Sequence, residues 1–207
     1  MAISFPRELP QVPIKSSRFG LNVNQAAFEA GLSRKVTVQS HAGGLTDRWE
    51  GVYTTAELTK DQMAELSAWV TSMRGREGKF FAYDPDRAQP RGVATPANST
   101  PQVNGASQIG RVIVTDGWQA STTGLLQPGD YFQIGSGYHM VLDRVDSDAL
   151  GNAIINFEPV LRTSPADNAP IVFTEPRLTA RLATLIEGWE TGARKTGTLS
   201  FSWEEVI

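Results

Sequence analysis

The chain contains one strong helix start, and it restricts the kind of fold that can form around it. Thr59 has the side chain of an N-cap, Gln62 follows three residues later, and Leu58 and Met63 stand at the positions of a hydrophobic staple. Met63, Leu66, Val70 and Met73 then recur at helical spacing with Trp69 beside them, while Asp61 and Glu65 fall on the other side. The helix is expected to end at Gly75, a residue suited to a left-handed C-terminal position, with Arg74 and Arg76 against the negative end of its dipole. Strands are predicted on both sides. RWEGVYTT places Trp49, Gly51 and Tyr53 on one face at a period of two, and KFFAY returns as a short aromatic strand before a turn at Asp84-Pro85-Asp86. An amphipathic helix held between two half-buried strands has to lie on their sheet.

The remaining segments are organised around that unit. Residues 1–33 hold Pro6, Pro10 and Pro13 without a clear period and are expected to run extended, either within one subunit or as an arm across a subunit boundary. NQAAFEA, residues 24–30, reads as a short helix before Gly31. Val36 and Val38 alternate in the next segment, which the HAGGLTD loop would join to the Trp49 strand as a long hairpin. Residues 93–110 are uncharged and rich in Pro, Ser, Thr, Asn, Ala and Gly, which marks a boundary. RVIVT, DYFQIG, YHMVLDRVD and AIINFEPVL follow as short strands separated by turn-rich sequence, the signature of a compact all-β unit. Leu178, Ala180 and Leu182 alternate in a strand returning to the first unit, and Leu199, Phe201 and Trp203 alternate in a closing strand too apolar to hang free. The expected fold is mainly β with one α-helix (α+β). A discontinuous first domain, residues 1–95 and 176–207, is interrupted by an inserted all-β domain, residues 96–175, a small sandwich or barrel.

These same words, in this order, resemble a known family. W-x-G, the amphipathic helix, M-R-G-R-x-G-x-F-F, D-P-D and P-R-G, followed by G-L-L-Q-P-G-D-Y-F-Q-I-G and I-I-N-F-E-P-V-L-R, are similar to the distal tail proteins of long-tailed bacteriophages, over roughly residues 48–162. The ordered set carries the resemblance, and no single word does. It implies a split barrel or sandwich of the tail-tube type with an inserted β domain, and a structural virion protein rather than an enzyme. It also implies a homohexameric ring between the tail tube and the tail tip or baseplate proteins, assembled into the phage tail after synthesis in the host cytoplasm. Contacts in such a ring would be head-to-tail. Candidate interface residues are Pro10, Pro13 and Arg18 in the leading segment, His41 and Asp47 in the 41–47 loop, and Arg74 and Arg76 after the helix. A rival reading makes the inserted domain a binding module for host surface carbohydrate, and Trp118, in the TDGWQA turn, is its candidate contact. The plainer alternatives are a local plug under that turn for Trp118 and helix-dipole compensation for the two arginines.

Composition and spacing narrow the chemistry. Nineteen basic against twenty-two acidic residues, a formal net charge of -3, give no general drive towards nucleic acid or an anionic membrane, so neither non-specific DNA binding nor sequence recognition of nucleic acid is expected. The polarity is uneven, with residues 96–175 at a formal -5 and the remainder at +2. No segment approaches the ~18 to 20 apolar residues of a membrane span, and MAISFPRELP lacks the pattern of a signal peptide, so a soluble protein without membrane insertion is expected. The absence of cysteine removes thiolate metal sites and cysteine nucleophiles. His41 and His139 have no second histidine at metal-ligand spacing and are expected at the surface or a strand edge. Asp84 with Asp86, and Asp143, Asp146 and Asp148, could in principle hold calcium, but they lack the complete loop pattern and fit turn chemistry better. No serine motif, phosphate loop or acid–base set emerges, so no cofactor, metal or catalytic residue is assigned. Of Trp49, Trp69, Trp118, Trp189 and Trp203, all but Trp118 are expected in packed elements.

Overall fold

The computed structural model describes residues 3–184 and 197–207; Trp189 lies outside these residues. Among the described residues the protein is mainly β with one α-helix. In chain order the elements are β1 (Ile14–Asn22), β2 (Gln25–Glu29), β3 (Val36–Ser40), β4 (Arg48–Thr55), α1 (Lys60–Ser72), β5 (Phe80–Ala82), β6 (Gln102–Val103), β7 (Val112–Asp116), β8 (Tyr131–Ile134), β9 (Gly137–Val141), β10 (Ala153–Glu158), β11 (Ile171–Val172), β12 (Leu178–Leu182) and β13 (Ser200–Glu205). They fall into two compact units. One takes its described residues from Met1–Leu21, Arg48–Asp86 and Arg177–Ile207, the other from Asn22–Asp47 and Arg87–Pro176.

The first unit is a five-stranded sheet in the order β1-β4-β13-β12-β5. Trp49 and Tyr53, Phe201 and Trp203, Leu178 and Ala180, and Phe80 all turn to one face and are buried there, as strand alternation requires. α1 covers that face. Thr59 and Gln62 form the expected capping box, and Met63, Leu66, Trp69 and Val70 are buried. The Trp69 ring stands edge-on to Phe80 at 5.1 Å, and Phe19 of β1 packs against Trp203 at 4.7 Å. The helix stops where Arg74 and Gly75 both take positive φ, 50° and 70°. Gly51 is required by a close approach: a Cβ there would lie 2.3 Å from the Arg18 carbonyl oxygen and 2.5 Å from the Trp203 ring. The C-terminal strand β13 completes the sheet from its middle, paired with β4 on one side and β12 on the other.

The second unit holds a six-stranded sheet, β11-β8-β9-β10-β7-β6. Its ends almost meet, because Val103 donates to the Ala169 carbonyl and Ile171 to the Pro101 carbonyl, each at 3.0 Å. This nearly closed, barrel-like sheet surrounds Ile113, Leu125, Leu126, Phe132, Val141, Ile155 and Phe157, all fully buried. The four expected strands are β7 to β10. The two short end strands, β6 and β11, lie in Pro-rich sequence that carries no strand period.

Three expectations for the first fifty residues are corrected. Residues 14–22 are not among them, since they run extended, as expected, and form the long strand β1. Residues 25–29 are a strand, not a helix: their helix-favouring Ala and Glu are overridden by five cross-strand pairs with β3. β3 therefore pairs with β2 and not with the Trp49 strand, whose neighbours are β1 and β13. The β2–β3 hairpin, expected with the first domain, belongs to the second compact unit.

Candidate functional site

The residues nominated from sequence do not converge on one site. Pro10 is half-buried, with its carbonyl accepting from Val12 at 2.8 Å, and the Pro13 carbonyl accepts from Ala56 at 2.8 Å, so the leading segment is tied to its own unit. Arg18 is exposed on β1. His41 is exposed in a short 3-10 turn, and its backbone N–H donates to Asn24 at 2.9 Å. Asp47, nominated as a surface contact, is only 3% exposed. Its carboxylate accepts from the Asn24 N–H at 2.9 Å and its carbonyl accepts from Arg162, so it pins the base of the hairpin.

Arg74 faces Glu77 at 3.6 Å with both side chains mostly in water, a pair worth little. Arg76 has a stronger partner within its own chain. It donates to Glu204 of β13, which also receives Arg181 at 2.9 Å and Arg48 at 3.1 Å. Burial acts to raise the Glu204 carboxyl, but hydrogen bonds from Arg76 and Arg181 and the charge of Arg48 outweigh it and hold the group below its ordinary range. No local sequence signal announces this cluster, since its members come from β4, the turn after α1, β12 and β13.

Trp118 takes the plainer of its two expected roles, a plug under its turn, and is not a surface contact. It is 5% exposed, its indole N–H donates to the Thr115 hydroxyl at 2.7 Å, and its ring lies 5.6 Å from Phe173. His139 is likewise buried, 2% exposed, rather than at a surface or edge. Burial pushes its pKa down to about 4, against the raising effect of the Pro159 carbonyl at 2.8 Å from Nδ1, with Arg162 adding to the depression. The ring packs between Phe132 and Phe157. β9 buries both Tyr138 and His139, so a simple in–out alternation fails there.

The aspartates act in turns. Asp148 accepts from the Leu150 and Asn152 N–H groups at 2.8 Å, Asp146 from Gly124 at 2.7 Å, and Asp84 from Asp86 at 3.2 Å. Among the described residues no group of three or more His, Asp or Glu side chains is placed to hold a metal ion, and no helix is long and apolar enough to cross a membrane. A groove of about 440 Å³ in the second unit is lined by Pro96, Pro101, Ile171 and Phe173 among others.

No family model matches the chain, and no curated protein sequence matches it.

The surface that stands out is the β2–β3 hairpin. Every residue of both strands is exposed, including Phe28 at 61%, Val36 at 56% and Val38 at 54%. The register puts Ala27 opposite Val38 and Phe28 opposite Thr37, so Phe28 lies on one face and the two valines on the other. Sequence reasoning missed this surface because it assigned β2 to a helix and β3 to the core sheet.

Proposed function

We propose that the protein is a structural virion component, a distal tail protein forming a hexameric hub ring between the tail tube and the tail tip or baseplate of a siphophage-like particle. In this reading the helix-backed sheet is the tail-tube-like ring domain and residues 96–175 are its inserted β domain. The resemblance in residues 48–162 supplies the family, and one structural observation supports assembly as the function: the fully exposed β2–β3 hairpin. A two-stranded hairpin is marginal in water on its own, and apolar side chains on both of its faces gain most from a partner that covers them. A hairpin offered to a different surface of the next copy is a heterologous contact, the kind that closes into rings.

Light scattering on the purified protein tests this, with Phe28→Asp and Val38→Asp combined as the variant. The wild-type chain is expected at hexamer mass, and the variant as a monomer with an unchanged circular dichroism spectrum. A wild-type monomer at every concentration, alone and with tail-tube protein, would contradict the reading. An unaltered hexamer in the variant would remove the hairpin from the contact.

A further inference from the structure

The core face of the five-stranded sheet is covered by α1, and the opposite face carries a different chemistry. Glu204 alternates with the buried Trp203 and so projects to this outer face, directly opposite Glu50 in the register with β4 and opposite Arg181 in the register with β12. Arg48 and Arg76 reach the same carboxylate. Arg18 joins them from β1, next to Phe19, whose ring packs on Tyr53 and Trp203 on the core side. Lys79 precedes the buried Phe80 and is exposed. Five cations thus share a face with Glu50 and Glu204, and Arg177, just before the buried Leu178, adds a sixth that is paired with Glu8, in a chain whose overall charge is negative.

The cations are not consumed by their internal partner. Each guanidinium carries five donors, whereas Glu204 offers two oxygens. The side chains of Arg48, Arg76 and Arg181 remain 37%, 51% and 38% exposed, while that of Glu204 is 8% exposed. The anion is inside and the cations open outward. Between them stand the hydroxyls of Ser200 and Ser202, hydrogen-bonded to Thr54 and Thr184 at 3.0 Å. The strand positions between these groups bring no exposed large apolar anchor of the kind that gives protein interfaces their affinity. Guanidinium and hydroxyl groups spread over a sheet face suit phosphate oxygens instead.

We propose that the outer face of the β1-β4-β13-β12-β5 sheet is a sequence-independent contact surface for a nucleic-acid phosphate backbone. Five strands span roughly 19 Å at about 4.8 Å between neighbours. That length of duplex axis carries on the order of ten phosphates, enough to meet every cation on the face. The net excess of three positive charges sets the strength: affinity falls with salt at a logarithmic slope near -3, or about fortyfold between about 50 and 200 mM. The contact positions a backbone and reads no bases. It does not depend on the ring proposed above, and it is tested on the full chain in whatever oligomeric state that chain adopts.

The test is fluorescence anisotropy of a short mixed-sequence DNA duplex titrated with the full-length protein across that salt range, with poly-aspartate as competitor. Arg18→Glu and Lys79→Glu are the variants, because neither residue touches Glu204. Lys60→Glu, exposed on α1 at the other side of the sheet, is the control. Binding that follows the stated salt dependence, ignores base sequence, lowers its slope by about two in each charge-reversed face variant and is untouched by Lys60→Glu supports the proposal. No binding at about 50 mM salt, equal losses in all three variants, or capture of poly-aspartate in preference to DNA would overturn it.

Discussion

The two sheets of this protein reach stability by different routes. The six-stranded sheet draws all its strands from residues 102–172, almost closes on itself, and encloses its own core of Ile113, Phe132, Ile155 and Phe157. The five-stranded sheet is assembled from three distant stretches of chain, is finished by the last strand, and buries only one face, beneath α1. A sheet closed on itself has spent its strand edges and its inner face. A sheet covered on one side keeps a second face for other chemistry, and here that face gathers the arginines. The difference teaches where to look for function in a β-rich chain: on the open sheet and on the exposed hairpin, rather than inside the closed one.

The contrast can be broken at its centre. Trp203→Ala, at the fully buried middle of the open sheet, is expected to cost about 3–5 kcal/mol. Hydrogen exchange should show protection lost across β4, β12 and β13 while β7 to β10 keep theirs. Phe157→Ala should give the reverse pattern at similar cost. Collapse of both sheets in either variant would show that the two cores are not separately held.

The closed sheet carries a pH signature of its own. The imidazole of His139 is held neutral by burial, so its folded pKa of about 4 lies below the ordinary value of about 6.5. Between those values the unfolded chain binds a proton that the folded chain does not, and stability therefore rises with pH. The contribution is complete above about pH 6.5 and is lost as pH falls to about 4, at most about 3 kcal/mol in all. Chemical denaturation across that window should show the slope, and His139→Gln should remove it. An unchanged slope in the variant would assign the effect to other groups.

The smallest effect expected is at the helix cap. Thr59→Ala removes the acceptor for the Gln62 N–H and should cost about 1 kcal/mol, read as faster exchange in the first turn of α1. A cost near zero would mean that packing of Leu66 and Trp69 alone sets the helix start.

That cap was also the most legible feature of the sequence. Capping signals and helical periodicity are local, so α1 and its buried stripe could be read directly, and the alternation in β4, β12 and β13 identified their core faces. Strand partnership is not local. Val36 and Val38 alternate like a core strand, yet nothing in them says that β2 rather than β4 is the partner. The sequence of β2 favours a helix, and only pairing with β3 makes it a strand. The site was less legible still: Arg76 and Glu204 are joined across 128 residues, and the burial of Trp118 and His139 depends on Phe173, Phe132 and Phe157 arriving from elsewhere.

We propose that this chain works by assembling. Negative-stain electron microscopy of the purified full-length protein, alone and mixed with tail-tube protein, tests it most directly. The account predicts a hollow ring with six-fold symmetry. Particles that remain single and compact under both conditions would contradict it.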